Sequence, residues 1–165
     1  MSDEKLRSLV GRLPDPDPNG TYANLDAEKV QRMEQVAAEL EQGGRDAIVG
    51  LIGLLVEPGQ GDDVKPRFAL HLLAVRTTQP GREAARLAFA EAAASQLGGD
   101  RPKAVQSYVI EQIQLTGTRA VVEPLGKLLL DPDLCDAAAR ALAAIGDGAA
   151  EQLLAALPKV DGPRR

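Results

Sequence analysis

Apolar positions along this chain recur with the spacing of helices rather than of strands. In "DAEKVQRMEQVAAEL" the residues Val30, Met33, Val36, Ala37 and Leu40 fall three and four apart, on one face of a helix. Asp26 stands where an N-cap carboxylate accepts from the first free N–H groups, and Leu25 with Val30 has the spacing of a hydrophobic staple. "VKPRFALHLLAVR" and "PKAVQSYVIEQIQL" read as two more helices of this kind. Asp63 and Asp100 precede them as N-cap candidates, and their prolines fall in the first turn, where a missing N–H is tolerated. Apolar segments between them, at about Arg45–Val56, Arg82–Gln96 and Arg119–Leu130, keep the helical period through residues such as Val121, Val122, Leu125, Leu128 and Leu129. Alternating Val/Ile/Thr runs joined by hairpin turns do not occur, so the predicted class is all-α.

These segments repeat. "GGRDAIVGLIGLL" and "PGREAARLAFAEA" both contain Gly-Arg-acid-Ala, and Gly44 and Gly81 lie 37 positions apart. The same step joins Arg45 to Arg82 and Arg119, and Asp63 to Asp100. Each unit therefore reads as a first and a second helix. The alanine-rich "LCDAAARALAAIGDGAAEQLLAAL" adds a fourth pair: Asp136–Ile145, a Gly-Asp-Gly turn, and a shorter Ala149–Leu157. Gly146 suits a left-handed helix end and Asp147 a new N-cap. Ahead of the repeats, "EKLRSLVGRL" places Leu6, Leu9, Val10 and Leu13 on one stripe, as a capping helix for the first unit requires. "LPDPDPNGTY" reads as an extended or turning linker.

The stretch "VVEPLGKLLLDPDLCDAAARALAAIGD" resembles a HEAT repeat of the short bacterial kind: a Leu-rich second helix, an Asp-Pro turn, an Ala-rich first helix and an Ile-Gly-Asp turn. The likeness is close over Ala120–Leu157 and looser over Asp26–Gln96. It implies a right-handed α-solenoid of about four helix pairs whose second helices line a concave groove. The expected organisation is a cap and linker over 1–22, repeats over 23–160 (about 24–60, 61–98, 99–131 and 132–160), and a tail or the start of another repeat over 161–165. "LPKVDGPRR" stops where a fifth first helix would begin, which reads as the N-terminal part of a longer repeat protein. An uncovered last repeat would leave a monomer or a weakly self-associating chain.

Composition narrows the function. The net charge of −5 disfavours binding to nucleic acid through its phosphates. One cysteine, Cys135, permits no internal disulfide and fits a reducing, cytoplasmic setting. No apolar run is long enough to span a membrane. Aromatic residues are 2% of the chain, so the core is expected to be aliphatic and closely packed.

Arg45, Arg82 and Arg119 open three second helices and would stack in a column roughly 10 Å apart. They form either a ladder that recognises an acidic or phosphate-bearing partner, or a structural series in which each Arg pairs with an acid of a neighbouring unit, such as Asp46 or Glu83. Arg86, Glu123 and Lys127 are expected along the same groove. His71 and Tyr108 are equivalent by the 37-residue step and read as packing residues. A single His implies no metal site, and no cofactor is expected. Cys135 reads as a buried, inert thiol, and "EPGQGDD" as an inter-repeat loop.

Enzymes on HEAT-like scaffolds fit less well. Deoxyhypusine hydroxylases carry repeated His-Glu pairs, whereas Leu72 follows the single His71 here. HEAT-like DNA glycosylases use aromatic residues in a basic groove, against no Trp and a negative charge in this chain. No motif suggests the activity of phycobilin lyases. The expected function is a non-enzymatic scaffold for a protein or peptide, acidic if the arginine column recognises it. The alternative is an accessory or regulatory HEAT-like arm of a larger protein or lyase-type enzyme, with catalysis outside this chain.

Overall fold

The computed structural model describes residues 1–19, 21–23 and 25–159, and every regular element among them is helical. Helix α1 spans Asp3–Gly11, α2 Ala27–Gln42, α3 Gly44–Gly53, α4 Val64–Thr77 and α5 Glu83–Ala94. It is followed by α6 Lys103–Thr116, α7 Val122–Leu128, α8 Cys135–Ile145 and α9 Ala149–Ala156. The third second helix begins as a 3-10 turn, Arg119–Val121, before α7. Pro124 has no N–H to bond the carbonyl of Ala120, so a continuous α-helix from Arg119 is interrupted. The 161–165 tail lies outside the described residues.

The helices touch in two rows. α2 packs on α4, α4 on α6 and α6 on α8; α3 packs on α5, α5 on the 3-10 turn before α7, and α7 on α9. Between rows, α3 packs on α4, α5 on α6 and α7 on α8. At one end α1 covers α2, α3 and α4, burying Leu6, Leu9, Val10 and Leu13. Gly50 makes room for it: a Cβ there would come 2.6 Å from Leu6 Cδ2.

The core is aliphatic and rich in alanine. Phe89, Ala90, Ala92 and Ala93 of α5 and Ala138, Ala141 and Leu142 of α8 are fully buried beside Leu40, Leu51, Leu70, Ile113 and Leu125. Alanines let backbones approach closely while keeping strong helix propensity. No helix among the described residues is long and apolar enough to cross a membrane.

Several expected details changed. Asp26 caps α2 by accepting from the Lys29 N–H at 2.8 Å, but Val30 is 43% exposed, so the buried stripe is Val36, Ala37 and Leu40 with Met33 at its edge. Asp63 precedes α4 without capping it. Its Oδ2 accepts instead from the Val56 N–H at 3.0 Å and Arg67 Nε at 2.9 Å, which closes the base of the exposed Glu57–Asp62 loop. Asp100 is displaced because α6 starts later, after Pro102. Gly146 ends α8 at φ +74, but its ψ of −62 lies outside the left-handed helical region expected of it. Asp147 pairs with Arg119 and leaves Gly148, the left-handed residue at φ +76, as the N-cap of α9. Cys135 is half-buried rather than buried, with Sγ 3.7 Å from the Pro132 carbonyl.

Candidate functional site

The column positions share a register but not a role. Arg45 opens α3 and is exposed, its Nη2 donating to Ser95 Oγ at 2.9 Å on the far end of α5. Arg82 stands at the N-cap position of α5 without a capping bond and reaches back to Glu41 at the end of α2, donating to Oε2 at 2.6 Å. Arg76 Nε donates to the same Oε2 at 2.7 Å. Arg119 sits in the 3-10 turn and pairs with Asp147 at 2.7 Å, both side chains well exposed. Arg82 and Arg119 thus each pair with an acid from another helix pair, as a structural series requires, while Arg45 does not. The acids are not Asp46, which takes the Met1 ammonium at 2.8 Å, or Glu83, which accepts from the Gly81 N–H at 3.2 Å.

Arg86 is half-buried rather than free in a groove. Its Nε donates to the Thr116 carbonyl at 2.9 Å and its Nη2 to the Gly117 carbonyl at 3.1 Å. Those oxygens end α6, where helix geometry leaves carbonyls without partners, so the guanidinium caps the neighbouring helix. Glu123 and Lys127 form an exposed i,i+4 pair at 3.0 Å on the outer face of α7. With Gly126, Leu130 and Lys159 they edge a groove of about 290 Å³ between α7 and α9. Leu130 there is 45% exposed, and Leu87 on α5 is also exposed.

Burial works against a charged Glu41, yet the hydrogen bonds from Arg76 and Arg82 outweigh it and hold the carboxyl below its ordinary value. Asp63 behaves likewise: burial raises it, and Arg67 with the Val56 N–H brings it down. The Arg67 guanidinium lies 4.8 Å over the Tyr108 ring, whose hydroxyl donates to the Arg67 carbonyl at 2.8 Å. Burial pushes the Tyr108 hydroxyl up to about 12. His71 Nδ1 lies 3.0 Å from Gln112 Oε1, so both equivalent positions connect α4 to α6.

Linear reading missed two sites. A polar cleft of about 760 Å³ lies between the linker and α2, lined by Arg12, Asp15, Asp26, Lys29, Arg32 and Lys65. Its cations are all paired: Arg12 with Glu39, Lys29 with Asp26, Arg32 with Glu28 and Lys65 with Asp15. An apolar notch of about 150 Å³ between α2 and α4 exposes Val30 and Val75 beside Met33 and Leu72. The linker and α4 residues of the cleft lie some fifty positions apart in sequence, and no spacing rule connects them. The exposure of Val30 and Val75 depends on how α2 and α4 cross. Among the described residues no group of three or more His, Cys, Asp or Glu is placed to hold a metal ion.

Comparison with protein-family models, with curated proteins and with solved structures returned no match to this chain.

Proposed function

We propose that the chain is a non-enzymatic interaction scaffold, a right-handed α-solenoid of four HEAT-like helix pairs capped by α1, which holds a protein or peptide along its second row. The neighbour order of the helices carries this reading: first helices touch first helices, second touch second, and the first three pairs follow the 37-residue period. Such stacking spreads an extended surface over several units, so recognition works by shape over length rather than through one pocket. The second row presents Leu87 and Glu91 on α5, Glu123 and Lys127 on α7, and Leu130 just after it. An aliphatic face edged by paired charges suits a polypeptide with spaced apolar side chains.

A photo-crosslinking amino acid at Glu91 or Glu123, compared with one at the exposed first-row Gln31, tests this in cells that naturally express the chain. The expected result is discrete heterologous adducts from Glu91 and Glu123 and none from Gln31. Adducts from Gln31 alone, or from no position, would overturn the reading. Adducts of two copies of the chain do not count toward it.

A further inference from the structure

We infer that the chain pairs with a second copy of itself through the α8/α9 end of the helix stack, in a closed two-fold contact. The two ends are built differently. α1 and the turn after it seal the first with Leu6, Leu9, Val10 and Leu13. At the other, α8 packs on α6 and α7, and α9 packs on α7, α8 and the 3-10 turn Leu157–Lys159 that follows it. Gln152, Ala155, Ala156 and Lys159 face α7 across the groove between those helices. Helical geometry puts Ala150, Leu154 and Leu157 on the opposite side of α9, facing away from α7. Leu154 is 66% exposed, more than any other large apolar side chain among the described residues, and Leu157 is 42% exposed.

Charge selects a second copy as the occupant. Asp136 and Arg140 are exposed one turn apart on the outer stripe of α8, with Ala143 and Ala144 beside them. Neither takes part in an ion pair among the described residues. An acid and a base one turn apart are complementary to themselves when two such helices run antiparallel. A two-fold axis then brings Arg140 of each copy to Asp136 of the other, and the small alanines allow the backbones to approach. Because α1 covers the opposite end, the apolar surface needed for head-to-tail stacking is absent there, so the contact closes as a pair instead of growing into a filament.

The contact does not depend on the second-row groove and can fail without touching the scaffold reading. Sedimentation velocity and light scattering across a concentration series up to about 1 mM, a limit set by affinity arithmetic, should show a concentration-dependent dimer. Leu154→Asp should raise the dissociation constant by about tenfold or more. Asp136→Arg or Arg140→Asp alone should weaken pairing by about threefold to tenfold, since each change puts two like-charge contacts into the symmetric interface. The double reversal Asp136→Arg/Arg140→Asp should restore the wild-type value, with circular dichroism confirming that all variants fold. A chain that stays monomeric throughout, a dimer indifferent to Leu154→Asp, or a double reversal that restores nothing would each overturn the inference. So would a monomer destabilised by Leu154→Asp, because the chain itself would then be covering that face.

Discussion

Glu41 ties the first helix pair to the second, and removing its charge should cost more than any surface pair can explain. Its carboxylate, 21% exposed, receives Arg76 Nε at 2.7 Å and also Arg82, whose own side chains are 17% and 30% exposed. Glu41→Gln keeps the shape but leaves two guanidinium groups with a neutral partner that can accept only through one oxygen. Charge-assisted hydrogen bonds contribute about 1.5–3 kcal/mol each where well buried, and breaking one partner of a buried pair costs about 3–5 kcal/mol. Partial exposure lowers those figures, and Arg76 keeps a second, looser acid in Glu34 at 3.7 Å. The expected loss is about 2–3 kcal/mol, or about 4–12 °C in melting temperature for a domain of this size. Urea unfolding followed by circular dichroism at pH 7 measures it, and a double-mutant cycle with Arg82→Gln isolates the pair. A loss under about 0.5 kcal/mol would place the cluster with exposed ion pairs and refute the reasoning.

Acid should weaken the same link. The folded-state values of Glu41 and Asp63 lie below their ordinary values of 4.5 and 3.8, so their contribution is full above those values and is lost as pH falls through the lowered ones. The unfolding midpoint should therefore fall below about pH 4.5, less steeply in Glu41→Gln; an unchanged slope in that variant would assign the acid sensitivity elsewhere. Arg86→Met should cost about 1–2 kcal/mol by uncapping α6, and amide hydrogen exchange should rise selectively around Thr116 and Gly117. Gly117→Ala should destabilise the chain although its φ is −58, because the new Cβ would lie 2.6 Å from Ile145 Cδ1 and 2.7 Å from the Ile113 carbonyl oxygen. Gly53→Ala meets nothing within 4 Å at the last residue of α3 and should stabilise the chain through helix propensity by up to about 0.5 kcal/mol, read as a higher melting temperature.

Helices were legible because their signal is local. "PKAVQSYVIEQIQL" carries its period in its own residues, and α6 occupies Lys103–Thr116. The Gly-Asp-Gly break between Ile145 and Ala149 likewise separates α8 from α9. What the sequence left open is decided by packing. Asp63, Asp100 and Asp147 all looked like N-caps, since an Asp before a helix can satisfy its free N–H groups. Asp63 and Asp147 were instead taken by arginines from their own helix or from another unit, and Asp100 lost its place when α6 began after Pro102. A cap contributes about 1 kcal/mol, so a well-placed guanidinium can outbid it. Residues 41 or 50 positions apart, such as Arg82 with Glu41 and Arg45 with Ser95, meet only once the rows are stacked.

The 37-residue period thus carries backbone position from unit to unit without carrying side-chain role. Arg45, Arg82 and Arg119 begin equivalent helices, yet one reaches forward to a serine, one backward to a carboxylate shared with Arg76, and one to an exposed aspartate in the next turn. A recognition ladder needs cations that are free and evenly spaced, and Arg82 and Arg86 are already held inside the molecule. Of the cations expected along this row, Arg45 and Arg119 remain near its edge and Lys127 is cancelled by Glu123 at 3.0 Å, while Glu91 adds an exposed acid. Long-range steering of an acidic partner by so few net charges would be weak, and salt would screen it within about 10 Å. On the proposed scaffold reading, a partner on this row would draw its affinity from contact with Leu87, Leu130 and the small residues around them. Such binding should survive a rise in salt and fail when Leu130 is changed to Asp.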